Sequence, residues 1–178
     1  MNRNGFESSL VSSLTIAKSH NLQHSLLHFD VDQLQVVKDL MGHQEVDKQI
    51  RRVAKTRRSL SRDSEFRPRL AGDEYGALLT NCDINQGHPV ADKIRNAIRE
   101  LTVVSANRQL DVSASIGVAV LNQETEGIAG AMASAEIACK AAKEDGRDRI
   151  QIFQEDNTTL VRRSEEIEWI GRVQQALR

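Results

Sequence analysis

The 178-residue sequence has few aromatic residues, few cysteines and no excess of charge of either sign. Aromatics make up 3% of it, so the rows of base-stacking rings typical of single-stranded nucleic-acid binders are absent. Lys plus Arg number 24 against 25 Asp plus Glu, and this balance argues against nucleic-acid partners and polybasic membrane binding. The two cysteines, Cys82 and Cys139, lie far apart, so neither a disulfide framework nor a zinc knuckle is expected.

Long apolar runs are also missing. No stretch approaches the ~20 residues that cross a bilayer, and the N-terminus has no signal-peptide pattern, so we expect a cytoplasmic protein without direct membrane contact. Hydrophobic residues still make up 39% and charged residues 28%, which suits a single domain with an aliphatic core.

Apolar periodicity predicts helices that alternate with strands. Helices are expected over residues 6–18, 44–60, 90–101, 127–143 and 160–177, and strands over 25–32, 66–70, 74–80, 112–121 and 149–153. Gly146 is expected to end the fourth helix. This order predicts an α/β (α+β) sandwich with helices packed on a mixed sheet, followed by an appended C-terminal helix.

Acidic side chains stand at two chain positions that a sheet can bring together. Asp30 and Asp32 end the first strand, and Asp73 and Glu74 lie on the turn of the predicted hairpin. If the hairpin pairs beside the first strand, three carboxylates converge at one sheet edge, which suits Mg²⁺ with its preference for one or two carboxylates plus phosphate oxygens. The alternative is an ordinary exposed turn, since such turns are rich in Asp and Gly.

Several ordered motifs resemble the GGDEF domain of diguanylate cyclases. RLAGDEY at 69–75 is similar to the family's RLGGDEF signature, and FDVD at 29–32 with DLMGH at 39–43 and Asp47 is similar to DxDxFKxxNDxxGHxxGD. VSASIGVA at 112–119 resembles VSxSIGxA, and residues 135–147 resemble ADxALYxAKxxGRN. The resemblance spans about residues 2–154, so we assign a GGDEF domain to 1–155 and a connecting helix to 156–178.

The resemblance implies a ferredoxin-like cyclase palm in which two domains, each with one GTP and Mg²⁺ (or Mn²⁺), meet as a homodimer and form cyclic di-GMP. Metal ions in such sites neutralise the developing phosphoryl charge. By position, the resemblance makes Asp73 and Glu74 the catalytic signature acids. Metal would be held by Asp30, Asp73 and the backbone carbonyl of Val31, the guanine edge by Asp47, and the triphosphate by Lys143 and Arg147.

Other positions depart from the family pattern. Lys38 replaces the guanine-binding Asn, and an ammonium only donates hydrogen bonds, whereas an amide also accepts them. Gln35 replaces a phosphate-side Lys, Val46 replaces a Gly, and Ala71 replaces the first Gly of the signature. Losing one neutral and one charged hydrogen bond at positions 35 and 38 removes about 2–4.5 kcal/mol, or roughly 30- to 2000-fold in transition-state binding.

The departures favour a degenerate domain with weak or absent cyclase activity and a regulatory role in binding Mg-GTP or a related nucleotide. Two alternatives stay open: an active diguanylate cyclase, and a dimerisation scaffold that binds no nucleotide. Arg62 and Glu65 stand where the family has its RxxD product-inhibition motif, with Glu for Asp. A solvated helix end is the simpler interpretation of those two residues.

The segment over 158–178 has an apolar stripe formed by Leu160, Ile167, Ile170 and Leu177. It resembles the helix that connects a GGDEF domain to an EAL-type phosphodiesterase domain. We therefore expect an EAL-type domain downstream in the same chain, and the alternative is a terminal helix that folds back on its own domain.

Overall fold

The structure, a computed structural model, describes residues 3–42, 65–71, 74–101, 103–105 and 108–154. The helices over these residues are α1 (Arg3–His20), α2 (Leu34–Met41), α3 (Ile84–Arg99) and α4 (Ile128–Glu144). The strands are β1 (His24–Val31), β2 (Glu65–Ala71), β3 (Glu74–Leu79), β4 (Val103–Ser105), β5 (Arg108–Leu110), β6 (Ala114–Leu121) and β7 (Ile150–Ile152). None of the helices in these ranges is long and apolar enough to cross a membrane.

Five strands form one mixed sheet in the order β2-β3-β1-β6-β7. All neighbours are antiparallel except β6 and β7, which run parallel, and β4 pairs with β5 in a separate two-stranded sheet. The predicted α/β sandwich with a mixed sheet is therefore confirmed. β1 lies at the centre, so residues at its carboxyl end are flanked by β3 on one side and β6 on the other.

Alternating side chains of the central strands feed two cores, one on each face of the sheet. Leu27 and Phe29 of β1 belong to a cluster that includes Ile94 and Ile98 of α3 and the N-terminal half of α2. Leu26 belongs to the other cluster, with Phe6 and Leu10 of α1 and the alanine-rich side of α4. The even-numbered residues of β1, Asp30 among them, therefore face α1 and α4.

Gly117 sets how closely α4 approaches the sheet. A Cβ at this position would lie 2.0 Å from the carbonyl oxygen of Ala135 and 2.3 Å from the backbone nitrogen of Cys139, so no larger residue fits beneath the helix. The helix ends at Glu144 with Asp145 as its C-cap, and Gly146 follows with φ +114°, in line with the predicted stop at this glycine. This close packing brings the last turn of α4 over the carboxyl end of β1.

Three parts of the fold differ from the sequence-based expectation. The helix α2 and the β4–β5 hairpin were not predicted, and α3 begins at Ile84 instead of residue 90. A capping box begins α3: Asp83 accepts a hydrogen bond from the Gln86 backbone at 2.9 Å, and the Gln86 side chain accepts one from the Asp83 backbone at 3.2 Å. The helices predicted over 44–60 and 160–177 lie outside the described residues.

Candidate functional site

Two acids meet at the carboxyl end of β1. In the strand register Asp30 lies directly opposite Glu74 of β3 on one side and opposite Ser115 of β6 on the other. Side chains of such cross-strand neighbours have Cβ atoms about 4.5–5.5 Å apart, and like charges placed this way repel. The predicted pairing of the hairpin beside the first strand is thus confirmed, and it creates a local demand for positive charge.

Lys143 supplies that positive charge in this structure. Its Nζ lies 2.5 Å from Oδ2 of Asp30, although the two residues are 113 positions apart in sequence. Their side chains are 36% and 19% exposed, so solvent still reaches the pair. A residue predicted to hold metal and a residue predicted to contact phosphate therefore share one site.

His28 lies on the same face of β1, two residues before Asp30, and is buried. Its position is opposite Gly76 of β3 and Gly117 of β6, which leave room for the imidazole ring. Burial lowers the pKa of His28 because the low-dielectric surroundings disfavour the imidazolium. The Glu136 and Asp30 carboxylates only partly oppose this effect, and the Lys143 cation adds to it. The His28 imidazole is therefore neutral near pH 7.

Asp32 has hydrogen-bond partners of its own at the same end of the sheet. Its Oδ2 accepts hydrogen bonds from Ser113 Oγ at 2.7 Å and from the backbone N–H of Asp148 at 3.2 Å. Its Oδ1 accepts one from Ser115 Oγ at 2.8 Å, and the residue is buried. The backbone N–H of Asp32 donates to the Ser113 carbonyl at 2.9 Å, directly after the last β1–β6 pair, and Ser115, which binds the Asp32 side chain, lies opposite Asp30.

Arg147 lies on the short loop that follows α4. Its side chain is exposed, and its backbone N–H donates to the carbonyl of Ala142 at 3.0 Å, which keeps it close to Lys143. Next to it, Asp148 accepts hydrogen bonds from Arg95 Nη1 at its carbonyl (3.2 Å) and at Oδ1 (3.1 Å). Sequence reasoning missed Arg95 and Asp148, since a contact between residues 53 positions apart leaves no local pattern.

The remaining predicted site residues are only partly located. Lys38 is buried in α2, Val31 ends β1 with a buried side chain, and Gln35 lies in the first turn of α2. Glu65 is the first residue of β2. Asp47, Arg62 and Asp73 lie outside the described residues. The structure therefore brings together Asp30, Glu74 and Lys143, with Arg147 on the adjoining loop.

The chemistry of these donors fits a divalent cation. Carboxylate oxygens of Asp30 and Glu74 are the hard ligands that Mg²⁺ and Mn²⁺ prefer. Over residues 3–42, 65–71, 74–101, 103–105 and 108–154 there is no group of three His, Cys, Asp or Glu side chains that could hold a metal ion. A metal ion here would thus take further ligands from a bound phosphate, from water or from Asp73.

Comparison with known proteins places this geometry in a family. Residues 1–149 match the model of the diguanylate cyclase GGDEF domain. The chain is 32% identical over 153 residues to the probable diguanylate cyclase DgcE of Escherichia coli (strain K12), covering 86% of this chain and 14% of DgcE. It is 27% identical over 177 residues to the cyclic di-GMP phosphodiesterase NbdA of Pseudomonas aeruginosa, covering 99% of this chain and 22% of NbdA.

The fold comparison agrees. The crystal structure of the GGDEF domain of DgcB from Caulobacter crescentus, in complex with c-di-GMP, superposes with a TM-score of 0.74 at 24% identity. The match covers 86% of this chain and 89% of that domain. The chain spans less than a quarter of the length of either curated relative, so it corresponds to one domain of such proteins.

Proposed function

Since this chain belongs to the GGDEF family of diguanylate cyclases and is a cyclic di-GMP signalling domain, we propose that it is a degenerate member. In this proposal it binds GTP with Mg²⁺ or Mn²⁺ for regulation and has weak or no cyclase activity. The domain would act in the cytoplasm, where GTP is available, and meet a second copy as a homodimer.

The pairing of Lys143 with Asp30 beside Glu74 carries the proposal. It supports retention of the part of the site that handles metal and phosphate, because a cation and two carboxylates meet where a Mg-triphosphate would lie. A bound divalent ion would neutralise phosphate charge and favour ionisation of a nearby hydroxyl. In this proposal Asp30, Asp73 and the Val31 carbonyl would hold that ion with Glu74 beside them, while Lys143 and Arg147 would bind the phosphates.

This arrangement implies an exchange of partners at Lys143. Without ligand the Lys143 ammonium compensates the charge of Asp30, and a bound divalent cation would supply that compensation in its place. Lys143 is then free to donate to a phosphate oxygen, and a lysine ammonium on a flexible stem suits such a movement. The site would therefore gain metal and nucleotide together.

The base-binding part supports the loss of cyclase activity. Lys38 is buried in α2, and an ammonium there offers donors only, where the family's Asn offers a donor and an acceptor to guanine. Gln35 would lack the charge of the family's Lys towards phosphate. In this proposal Asp47 still accepts from the guanine edge, and Arg62 with Glu65 forms a weakened product-inhibition site.

We also propose that residues 156–178 connect to an EAL-type phosphodiesterase domain. The similarity to DgcE covers 153 residues, whereas the similarity to the phosphodiesterase NbdA covers 177 and therefore nearly the whole chain. The similarity to NbdA thus extends past the GGDEF fold, which supports the interpretation that residues 156–178 connect this domain to a following one. In hydrogen exchange, residues 158–178 should open well before the sheet, and protection equal to that of the core would contradict this.

Two measurements on the purified chain test the proposed function. Calorimetry with GTP and Mg²⁺ should give saturable binding that is lost in Asp30→Asn, and absence of binding would favour the dimerisation scaffold. Incubation with GTP followed by chromatography should give little or no cyclic di-GMP. Robust turnover by the wild-type chain would show an active cyclase and overturn the degenerate assignment.

A further inference from the structure

The loop after α4 has an unusual backbone. Gly146, Arg147 and Asp148 follow one another with φ values of +114°, +63° and +46°. Glycine adopts such angles freely and Asp tolerates them, but for Arg the left-handed conformation costs about 1–2 kcal/mol. A residue in that conformation persists when its surroundings hold it there.

Side chains from the sheet and from α3 hold this loop, among them Arg99, whose Nε lies 3.5 Å from Oδ2 of Asp148. From the sheet, the buried carboxylate of Asp32 accepts the backbone N–H of Asp148 at 3.2 Å and is itself fixed by Ser113 and Ser115. From α3, Arg95 donates to the Asp148 carbonyl at 3.2 Å and to its carboxylate at 3.1 Å.

Arg95 is itself fixed in place. Asp92, one turn earlier on α3, accepts from Arg95 at 2.8 Å, and this pairing uses the planar fork of the guanidinium. Both clamps thus end on Asp148, and neither contacts Arg147 directly.

We propose that Asp32 and Arg95 are positioning residues for phosphate binding. By fixing Asp148, they keep Arg147 in its left-handed conformation, next to the last turn of α4 from which Lys143 reaches Asp30. This inference rests on the proposed function, because it assigns to Arg147 a contact with the outer phosphates of GTP. Asp32, the second acid of the FDVD segment, then influences phosphate binding through its hydrogen bond to the Asp148 backbone and does not bind metal itself.

The test compares GTP with GMP, because GMP lacks the outer phosphates that Arg147 would bind. In calorimetry with Mg²⁺, Arg147→Ala should weaken GTP binding by roughly 10- to 150-fold, the effect of losing a charged hydrogen bond. Asp32→Ala and Arg95→Met should each weaken it by roughly tenfold through displacement of the loop. None of the three variants should change GMP affinity by more than about twofold, because GMP lacks the outer phosphates to which Arg147 would donate hydrogen bonds.

A double-variant cycle separates positioning from general destabilisation. In the Arg147→Ala background, Arg95→Met should have no further effect on GTP affinity. Asp83→Ala is the matched control, since it removes the cap at the other end of α3 and leaves the clamps intact. It should lower the unfolding temperature without changing the ratio of GTP to GMP affinity.

The outcomes distinguish the two proposals. If the wild-type chain binds no GTP, both the proposed function and the positioning role fail. If it binds GTP, but Arg95→Met and Asp32→Ala leave the GTP-to-GMP ratio unchanged, only the positioning role is overturned. Should Asp32→Ala not fold, Arg95→Met decides alone, since the Arg95 side chain is 18% exposed and lies outside the buried core.

Discussion

Lys143 and Asp30 form an ion pair at 2.5 Å across the junction between α4 and β1. Because Lys143 is 36% exposed, the pair contributes little to stability, and loss of the cation in Lys143→Met should cost below about 1 kcal/mol of unfolding free energy.

The main effect of the Lys143–Asp30 pair is competition with metal for the oxygens of Asp30. We therefore expect added Mg²⁺ to raise the unfolding temperature of Lys143→Met more than that of the wild type. Thermal melts with and without Mg²⁺ measure this, and Lys143→Met combined with Asp30→Asn should show no response. An equal response in wild type and Lys143→Met would contradict the competition.

The contact between Gly117 and α4 gives a second prediction. Gly117→Ala places a methyl group 2.0 Å from the Ala135 carbonyl, so α4 has to move outward. We expect a loss of about 1–3 kcal/mol or more in the free energy of unfolding, as for other overpacked cores. Gly130→Ala is the matched control on α4, because its Cβ meets nothing within 4 Å, and it should stabilise by about 0.5–1 kcal/mol. Denaturant unfolding checks both variants, and an unaffected Gly117→Ala would show that the helix can shift at no cost.

The buried ring of His24 predicts a dependence of stability on pH. Nε2 donates to the Ser13 carbonyl at 3.0 Å, and Nδ1 accepts from the Asn81 N–H at 2.8 Å, which requires the neutral ring. Burial lowers the pKa of His24, and its hydrogen bond to Ser13 opposes this only in part. In the unfolded chain His24 has its ordinary pKa of about 6.5, so as the pH falls through that value the unfolded state binds more protons than the folded state. The contribution of His24 to stability is therefore complete above that pH and is lost as the solution becomes more acidic.

The size of this effect has an upper limit. Between pH 7.5 and 5.5 one such imidazole can remove at most about 1.4 kcal/mol. Denaturant unfolding at the two pH values should show a smaller difference for His24→Gln than for the wild type. His88 is exposed on α3, and His88→Gln should keep the wild-type difference. An unchanged difference in His24→Gln would remove His24 as its source.

Restoring the family residues at two positions tests the cause of the proposed loss of activity. The double variant Gln35→Lys with Lys38→Asn regains a charged phosphate contact and an amide towards guanine. Cyclic di-GMP formation should rise by about 30-fold or more over the wild type. Chromatography after incubation with GTP and Mg²⁺ measures the product, and adding Asp30→Asn should abolish it. No gain in the double variant would mean that other departures, such as Val46, limit the reaction.

Strong periodicity and cap residues made most of the fold predictable from sequence. The central strands, the hairpin and α4 with its Gly146 cap were expected and are observed. α2 was missed because Gln33, at its N-cap position, makes no side-chain capping hydrogen bond, so the usual start signal is absent. β4 and β5 have three residues each, which is too short for an alternating pattern to show.

The sequence indicated the candidate residues of the site better than the contacts that those residues make. Motif positions selected Asp30, Glu74, Lys143 and Arg147 as candidates, and pairing of the hairpin with β1 explains the meeting of the two acids. The hydrogen bonds of Asp32 to Ser113, Ser115 and the Asp148 backbone join residues more than 80 positions apart, so the sequence did not indicate them. The clamp of Arg95 on Asp148 depends on the docking of α3 against the loop after α4, which no local pattern encodes.

The separation of 113 residues between Asp30 and Lys143 has a consequence for synthesis of the protein. β1 is synthesised before β6, its partner on one side, and before α4, which supplies the cation. At a synthesis rate of about 5–20 residues per second, Asp30 is made roughly 6–23 seconds before Lys143. Pairing of such distant segments also slows folding itself, because the closure of a long loop precedes its stabilising contacts. Nascent chains therefore expose the central strand and its acids before any nucleotide site exists.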